Sequence, residues 1–164
     1  MPPHVPRPAL AEDPGRSAPI VVAAAVVERD GCFLLTRRLT GTHLAGRWEF
    51  PGGKCDPGES HAECLVRELR EELDVDVDVG PLVLSTTHAY DDRVVSLYFY
   101  TAALCGEPRP QLGQEMRWAP GRELTSLDFP EADAALIEIL AAPGRPVGRA
   151  RRVRRAARRE PGAR

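Results

Sequence analysis

A glycine-containing turn followed by an acidic helix is the feature that most constrains how this chain folds. The turn spans residues 53–59 and includes Pro57-Gly58, a pair typical of tight turns. Beyond it, apolar residues recur at positions i, i+3, i+4, i+7 and i+11, which predicts a helix from about Glu59 to Leu73 with one buried stripe. The stripe consists of Ala62, Leu65, Val66, Leu69 and Leu73.

Three acids share one side of this predicted helix. At about 100° per residue, Glu68, Glu71 and Glu72 fall on one arc beside the apolar stripe. Like charges at this spacing destabilise a helix by a few tenths of a kcal/mol per pair, whereas a bound hard cation reverses the effect, because Mg²⁺ prefers carboxylate, phosphate and water oxygens. A solvated acidic face is the alternative, but it does not explain Gly52-Gly53 and the spacings. The sequence therefore predicts a site for a divalent metal and polyphosphate.

The same stretch resembles the Nudix box, a pattern of Gly, five residues, Glu, seven residues and Arg-Glu-apolar-x-Glu-Glu-x-Gly-apolar. Asp74 departs from it by standing where the family has Gly, although Asp tolerates the left-handed conformation that ends a helix better than most residues. The resemblance implies an α/β Nudix fold, a mixed β-sheet sandwiched between helices, with Glu59 and Arg67 as bracing residues. The matching positions are Gly53, Glu59, Arg67, Glu68, Leu69, Glu71, Glu72 and Val75.

The resemblance extends over about residues 21–140 to the MutT branch, which hydrolyses nucleoside triphosphates to monophosphate and pyrophosphate. It is carried by Thr36-Arg37-Arg38, His43, Ala45, Trp48 to Lys54 and Asp128-Phe129-Pro130. It implies Mg²⁺, or Mn²⁺, bound by catalytic acids and a backbone carbonyl. The implied metal ligands are Gly52, Glu68, Glu71, Glu72 and Glu115, of which Glu115 lies in a loop where family members place an acid that binds metal or helps to activate water.

Substrate contacts are implied by the same resemblance. Lys54 is expected to meet phosphate, while Arg38, Phe50 and Arg93 line the base and sugar pocket. Phe50 has an equal alternative as ordinary core, and Arg93 as a solvated charge in a hairpin turn. The full substrate-binding set is Arg38, His43, Glu49, Phe50, Gly53, Lys54, Arg93 and Asp133.

Base preference depends on Asp133. An ionised Asp only accepts hydrogen bonds, which suits the amino group of cytosine, whereas the oxidised-guanine branch has Asn there. Ala132-Asp133 and residues 67–73 resemble members that prefer cytidine triphosphate. The sequence therefore favours cytosine nucleotides over 8-oxo-dGTP. One alternative is a protonated Asp133, which could donate a hydrogen bond and so suit 8-oxo-dGTP. The other is that Asp133 merely caps or solvates its helix. Hydrolases of sugar nucleotides or dinucleotides are a further alternative within the family.

The two ends of the chain differ from its centre. Residues 1–19 are rich in Pro and predict a disordered leader, residues 20–142 a Nudix hydrolase domain, and residues 143–164 a flexible tail. From Arg145 onward the chain carries nine Arg and one Glu. Such a tail suggests nucleic-acid binding, but it has no aromatic residue for stacking, and a solubilising tail is the favoured interpretation.

The apolar runs and the cysteines of the chain bear on its compartment. The longest apolar run, Ile20 to Val27, is too short to span a bilayer, and the leader lacks the apolar segment of a secretory signal. Cys32, Cys55, Cys64 and Cys105 lack metal-ligand spacing and are expected to be reduced thiols in a cytoplasmic protein. No membrane partner is expected, and the chain is expected to act as a monomer or homodimer.

Several further elements are predicted from local patterns. Residues 20–28 and 32–37 are expected to form strands around a turn at Asp30-Gly31, and residues 82–90 and 94–104 a long hairpin. A short strand is expected at 116–119, and a second helix at 131–140 with an apolar side of Ala134, Ala135, Ile137 and Leu140.

Overall fold

The computed structural model describes residues 18–144, so the predicted leader and tail lie outside the described residues except for two positions each. Within this range no helix is long and apolar enough to cross a membrane. The main elements are strands β1 (Ile20–Val26), β2 (Glu28–Arg29), β3 (Cys32–Arg37), β4 (Trp48–Glu49), β5 (Gly52–Lys54), β6 (Val77–Ala89), β7 (Val94–Leu104) and β8 (Met116–Pro120), with helices α1 (His61–Leu73) and α2 (Ala134–Ala141).

The strands form two four-stranded sheets. In the first, the order is β5-β1-β7-β6, with β1 parallel to β7 and antiparallel to β5. In the second, β3 pairs with β4 and β8 and, through the turn at Asp30-Gly31, with β2. The predicted mixed sheet with helices is confirmed.

The predicted first hairpin was wrong in its pairing. Residues 20–28 do not form one strand beside β3, because the run divides at Val27 and its first part joins the other sheet. The turn itself is correct, since Asp30 and Gly31 have φ values of 50° and 77° and connect β2 to β3. An apolar run indicates a strand, but it carries no information about which strand will pair with it.

Alternation along β1 places the first sheet between two layers. Ala23 and Ala25 pack with α1, whereas Ala24 and Val26 pack in a second cluster that includes residues of α2. Successive side chains of a strand point to opposite faces, so one strand serves both layers. Helix α1 therefore packs against β1, the strand that also pairs with β5.

Both ends of α1 are specified locally. Ser60 is the N-cap and forms a capping box with Glu63, while Asp74 ends the helix with φ 49° in the left-handed region, as its tolerance for that conformation predicts. Glu59 therefore lies just before the helix rather than at its start. The buried stripe also differs, because Cys64 is fully buried and Ala62 is exposed.

Two other elements differ from their predicted bounds. Strand β6 begins at Val77 rather than at 82. Gly and Pro weaken a strand pattern, but the strand continues through Gly80-Pro81 because its pairing with β7 is irregular there. Residues 131–133 form a 3-10 turn before α2. The buried side of α2 is Leu136, Ile137 and Leu140, and the predicted Ala134 and Ala135 are exposed.

Candidate active site

The glycine pair of β5 allows unusually close backbone and side-chain approaches. A Cβ on Gly52 would lie 2.1 Å from the Ala23 carbonyl oxygen, and a Cβ on Gly53 would lie 2.4 Å from the Glu68 carboxyl carbon. A side chain at position 52 would overlap the backbone of β1, and one at position 53 would displace the flexible end of Glu68. The absence of a Cβ thus lets β5 pair with β1 and lets the Glu68 carboxylate rest directly on β5.

Arg67 holds the turn, the strand and the helix together. Its guanidinium donates to both Glu59 carboxylate oxygens at 2.8 Å, to Glu68 Oε1 at 2.9 Å and to the Lys54 carbonyl oxygen at 3.0 Å. Hydrogen bonds from Arg67 lower the pKa of Glu59 to about 2. These contacts match the bracing role that the resemblance implies for Glu59 and Arg67.

A cavity of about 530 Å³ opens beside this assembly, within the size range of small-molecule sites. Three of the five predicted metal ligands line it, namely Gly52, Glu68 and Glu72. All eight predicted substrate-binding residues also line it: Arg38, His43, Glu49, Phe50, Gly53, Lys54, Arg93 and Asp133.

Burial and mutual repulsion disfavour the ionised forms of the carboxylates in this cavity. Burial, followed by the charges of Glu49 and Glu68, raises the pKa of Glu72 to about 8. Burial likewise raises the pKa of Glu68 despite its bond to Arg67. A divalent cation would relieve this repulsion and suits oxygen donors, so the residues present fit the metal that the fold implies.

Two predicted acids stand outside the cavity. Glu71 is exposed, and its carboxylate lies 3.4 Å from Arg67. Glu115 is exposed and pairs with Arg37 at 3.2 Å, although Arg37 itself lines the cavity. Their roles as metal ligands stay predictions.

Arg38 and Glu49 form an ion pair inside the cavity. Arg38 also donates to the His43 carbonyl oxygen, and both charged side chains of the pair are about one-quarter exposed. The pair lies close enough to influence both Glu72 and Asp133. Arg38 is thus paired with Glu49 at the cavity wall, and its role in binding substrate stays a prediction.

Asp133 is the most deeply buried acid of the cavity, with 4% of its surface exposed. Burial and then the Glu49 charge raise the pKa of Asp133 to about 7. Within the described residues its carboxyl group has no hydrogen-bond partner, and it is not the side-chain cap of α2. The capping alternative is therefore wrong, and the carboxyl group is available to a ligand.

Aromatic and basic side chains complete the cavity. Phe50 is both core and wall, since it is buried and stacks on Phe129 at 5.6 Å while lining the cavity. His43 packs edge-on against Tyr90 at 4.9 Å, and burial lowers its pKa. Arg93 pairs with its neighbour Asp92 and also borders the cavity.

Gln114 is a cavity residue that sequence reasoning missed. Its buried amide donates to the Glu72 carbonyl oxygen at 3.0 Å and accepts from the Leu112 backbone at 2.9 Å. It thereby anchors the loop before β8 to the end of α1. A polar side chain in an irregular loop has no periodic pattern, so the only signal was its position beside Glu115.

Comparison with known proteins agrees with this geometry. A NUDIX domain model matches residues 22–139. The chain is 38% identical over 120 residues to the CTP pyrophosphohydrolase of Escherichia coli (strain K12), an alignment covering 73% of this chain and 89% of the relative. It is 37% identical over 123 residues to the 8-oxo-dGTP diphosphatase of Haemophilus influenzae, covering 74% and 90%.

A solved structure supports the same conclusion. The solution structure of the E. coli ORF135 protein aligns with a TM-score of 0.65 at 38% identity, covering 73% of this chain and 86% of that one. Nudix hydrolases generally need a divalent metal ion. With the domain model matching residues 22–139 and two relatives at 37–38% identity covered to about nine-tenths of their length, the chain belongs to the Nudix family.

Proposed function

We propose that this protein is a Mg²⁺-dependent pyrophosphohydrolase that converts a nucleoside triphosphate and water to a nucleoside monophosphate and pyrophosphate, as a cytoplasmic enzyme that cleanses the nucleotide pool. The observation that carries the proposal is one cavity lined by Glu68 and Glu72 together with a buried, unpartnered Asp133. Glu68 and Glu72 suit a cation with its phosphate, and Asp133 suits the polar edge of a base.

The charges of the cavity explain why a cation is needed. A triphosphate brings about four negative charges, which Glu68 and Glu72 would repel. When bound, Mg²⁺ or Mn²⁺ neutralises phosphate charge and lowers the pKa of coordinated water. Lys54 makes no ion pair within residues 18–144 and borders the cavity, so its ammonium group is free to meet a phosphate.

The reaction follows the direction typical of MutT-like enzymes. The oxygen of water bonds to the β-phosphorus, and the bond between that phosphorus and the α–β bridging oxygen breaks. The monophosphate leaves with the bridging oxygen, and the water oxygen stays on pyrophosphate. Bracing of Glu68 by Arg67 keeps this acid in a fixed position during the displacement.

Asp133 supports a preference for cytosine nucleotides. In its ionised form it only accepts, which matches the cytosine amino group, and a relative that is 38% identical is named for CTP. 8-oxo-dGTP is the second candidate, because a pKa of about 7 leaves a protonated carboxyl group that also donates, and another relative is named for that substrate.

A nucleotide panel tests the reaction and the base together. The purified protein with Mg²⁺ is given CTP, dCTP, dGTP and 8-oxo-dGTP, and phosphate is scored against pyrophosphate with and without added inorganic pyrophosphatase. Release of pyrophosphate with the highest kcat/KM for a cytosine nucleotide is expected. Release of phosphate alone would overturn the reaction, and a higher kcat/KM for 8-oxo-dGTP would overturn the base preference.

Glu72→Gln is expected to lower kcat/KM by about a hundredfold or more, because it removes a charge that faces the cation while keeping the side-chain shape. Glu138→Gln, an exposed substitution on α2, is the matched control and is expected to retain activity. Circular dichroism should show both variants folded. Near-wild-type turnover of Glu72→Gln would contradict the assignment of the metal site.

A further inference from the structure

Two of the four cysteines, neither of which lines the cavity, meet beside the box. Cys55 follows β5, and Cys64 faces it from the second turn of α1. Their sulfur atoms lie within 4.8 Å of each other, and the Cys64 thiol donates to the Gly53 carbonyl oxygen at 3.5 Å. The two are nine residues apart, a spacing that sequence patterns for metal sites do not include.

Glu59 joins these thiols. One sulfur from each cysteine and one carboxylate oxygen of Glu59 all lie within 4.8 Å of one another. Two sulfurs on a tetrahedral zinc ion lie about 3.8 Å apart, given zinc–sulfur bonds of about 2.3 Å. The three ligand atoms therefore need to move by only about an ångström to surround one ion.

We propose that Cys55, Cys64 and Glu59 form a binding site for a thiophilic divalent cation, such as Zn²⁺ or Cd²⁺, separate from the oxygen-lined cavity. Sulfur ligands select such ions over Mg²⁺, which prefers oxygen donors alone. Binding displaces the two thiol protons to solvent, and the cation bonds to both sulfurs. A water molecule or the Gly53 carbonyl oxygen is available as a fourth ligand.

The charge balance of the site supports this assignment. Two thiolates and the Glu59 carboxylate bring three negative charges, of which the cation would offset two, and Arg67, which also pairs with Glu68, would offset part of the third. A carboxylate has about four lone-pair positions, and Arg67 together with the Asp56 backbone fills three on Glu59. One position is left, so Glu59 can bind a cation without releasing Arg67.

A disulfide is the less favoured use of the same pair. Burial raises the pKa of both thiols, so neither is a thiolate poised for oxidation at neutral pH. A bound cation stabilises the thiolate form directly and needs no oxidant.

Cadmium titration tests the site without measuring activity. The full chain is held under a phosphine reductant with excess Mg²⁺, which occupies oxygen-ligand sites, and ultraviolet thiolate-to-cadmium absorption is followed. One equivalent is expected to saturate the band. Affinity should fall at least tenfold in Cys55→Ala and in Cys64→Ala, and be unchanged in the matched controls Cys32→Ala and Cys105→Ala.

The variants also separate binding from folding. Cys55→Ala removes a half-buried side chain, so it keeps the test valid if Cys64→Ala perturbs the core. Zn²⁺ is expected to raise the Tm of the wild type but not of Cys55→Ala, because only a ligand of the native state stabilises it. A missing band in the wild type, a band that persists in Cys55→Ala, or one lost in Cys32→Ala would overturn the proposal.

Discussion

Gly53 and Glu68 show how a residue without a side chain determines where a carboxylate lies. The Glu68 carboxyl group occupies the volume that a Cβ at position 53 would fill. Arg67 then holds that carboxylate from the other direction at 2.9 Å. Gly53 therefore positions Glu68 by leaving room for its carboxylate beside β5, whereas Arg67 positions it by hydrogen bonding.

Gly53→Ala is expected to reduce kcat/KM by about tenfold or more, while the Tm changes little. The new methyl group displaces the flexible end of Glu68, which moves at small cost in stability but loses its position relative to substrate. Gly106→Ala is the control, since its Cβ would meet only Val75 at an ordinary 3.8 Å. Full activity in Gly53→Ala would show that the position of Glu68 does not matter.

Individual residues differ in how far the sequence identifies them. Glu68 and Glu72 follow from helical spacing, since both fall on one arc and both reach the cavity. Glu71 shares that arc and nevertheless stays exposed, because a side chain near the edge of an arc is free to turn to solvent. The Cys55–Cys64 contact depends on the path of the intervening turn, which no linear spacing rule describes.

Helix α1 is the element whose ends the sequence describes best. Ser60 caps its start, and Asp74 ends it in a conformation that suits glycine better than any other residue. The pairing of β1 lies at the other extreme. Its apolar run predicts a strand, yet its paired residues in β5 are 28 to 32 positions away and those in β7 are 75 positions away, and only the completed sheet selects them.

Substitutions at Asp74 are expected to change stability in opposite directions. Asp74→Gly should raise the free energy of unfolding by about 0.5–1 kcal/mol, because glycine adopts φ 49° without steric strain. Asp74→Ala should lower it by about 1 kcal/mol, since alanine has a Cβ but no polar group to ease this conformation. Urea unfolding midpoints of the two variants and the wild type provide the measurement, and the reverse order would contradict the helix end.

At the scale of the whole molecule, buried acids make stability depend on pH. Glu72 and Asp133 have folded-state pKa values of about 8 and about 7, above their ordinary values of 4.5 and 3.8. Between about pH 4 and pH 8 the native state therefore binds more protons than the unfolded chain, and this contribution to stability is lost as pH rises. Glu59 has the opposite effect, because its folded-state pKa is about 2 and its ordinary pKa is 4.5. Its contribution to stability is present above about pH 4.5 and is lost as pH falls toward 2.

The metal-free protein is expected to lose more Tm than its Glu72→Gln variant between pH 5 and pH 8. The amide of the variant cannot ionise. The variant therefore lacks the loss of folding free energy that the wild type shows when the buried Glu72 loses its proton. Scanning calorimetry of both proteins in a chelator measures the two changes in Tm. Because His43 contributes equally to both proteins, its opposing effect cancels when the two changes are subtracted. Parallel Tm curves for the two proteins would show that Glu72 has an ordinary pKa.

The arginine-rich tail lies outside the described residues, and its role is a separate question for the whole chain. Deletion of residues 145–164 is expected to leave kcat/KM for nucleotides unchanged, because the box and cavity lie within residues 18–144. Affinity for a DNA duplex and its salt dependence, measured by fluorescence anisotropy, should decrease if the tail supplies phosphate contacts. Loss of nucleotide turnover in the truncated chain would instead place the tail in the enzyme's function.

The Arg38–Glu49 pair has a consequence for engineering a new specificity. Glu49 and Arg38 both influence the proton affinity of Glu72 and of Asp133. Substitutions that share partners are generally not additive. A designer who exchanges Asp133 to accept a different base will also alter the acid that faces the cation, so selectivity and catalytic rate must be optimised jointly.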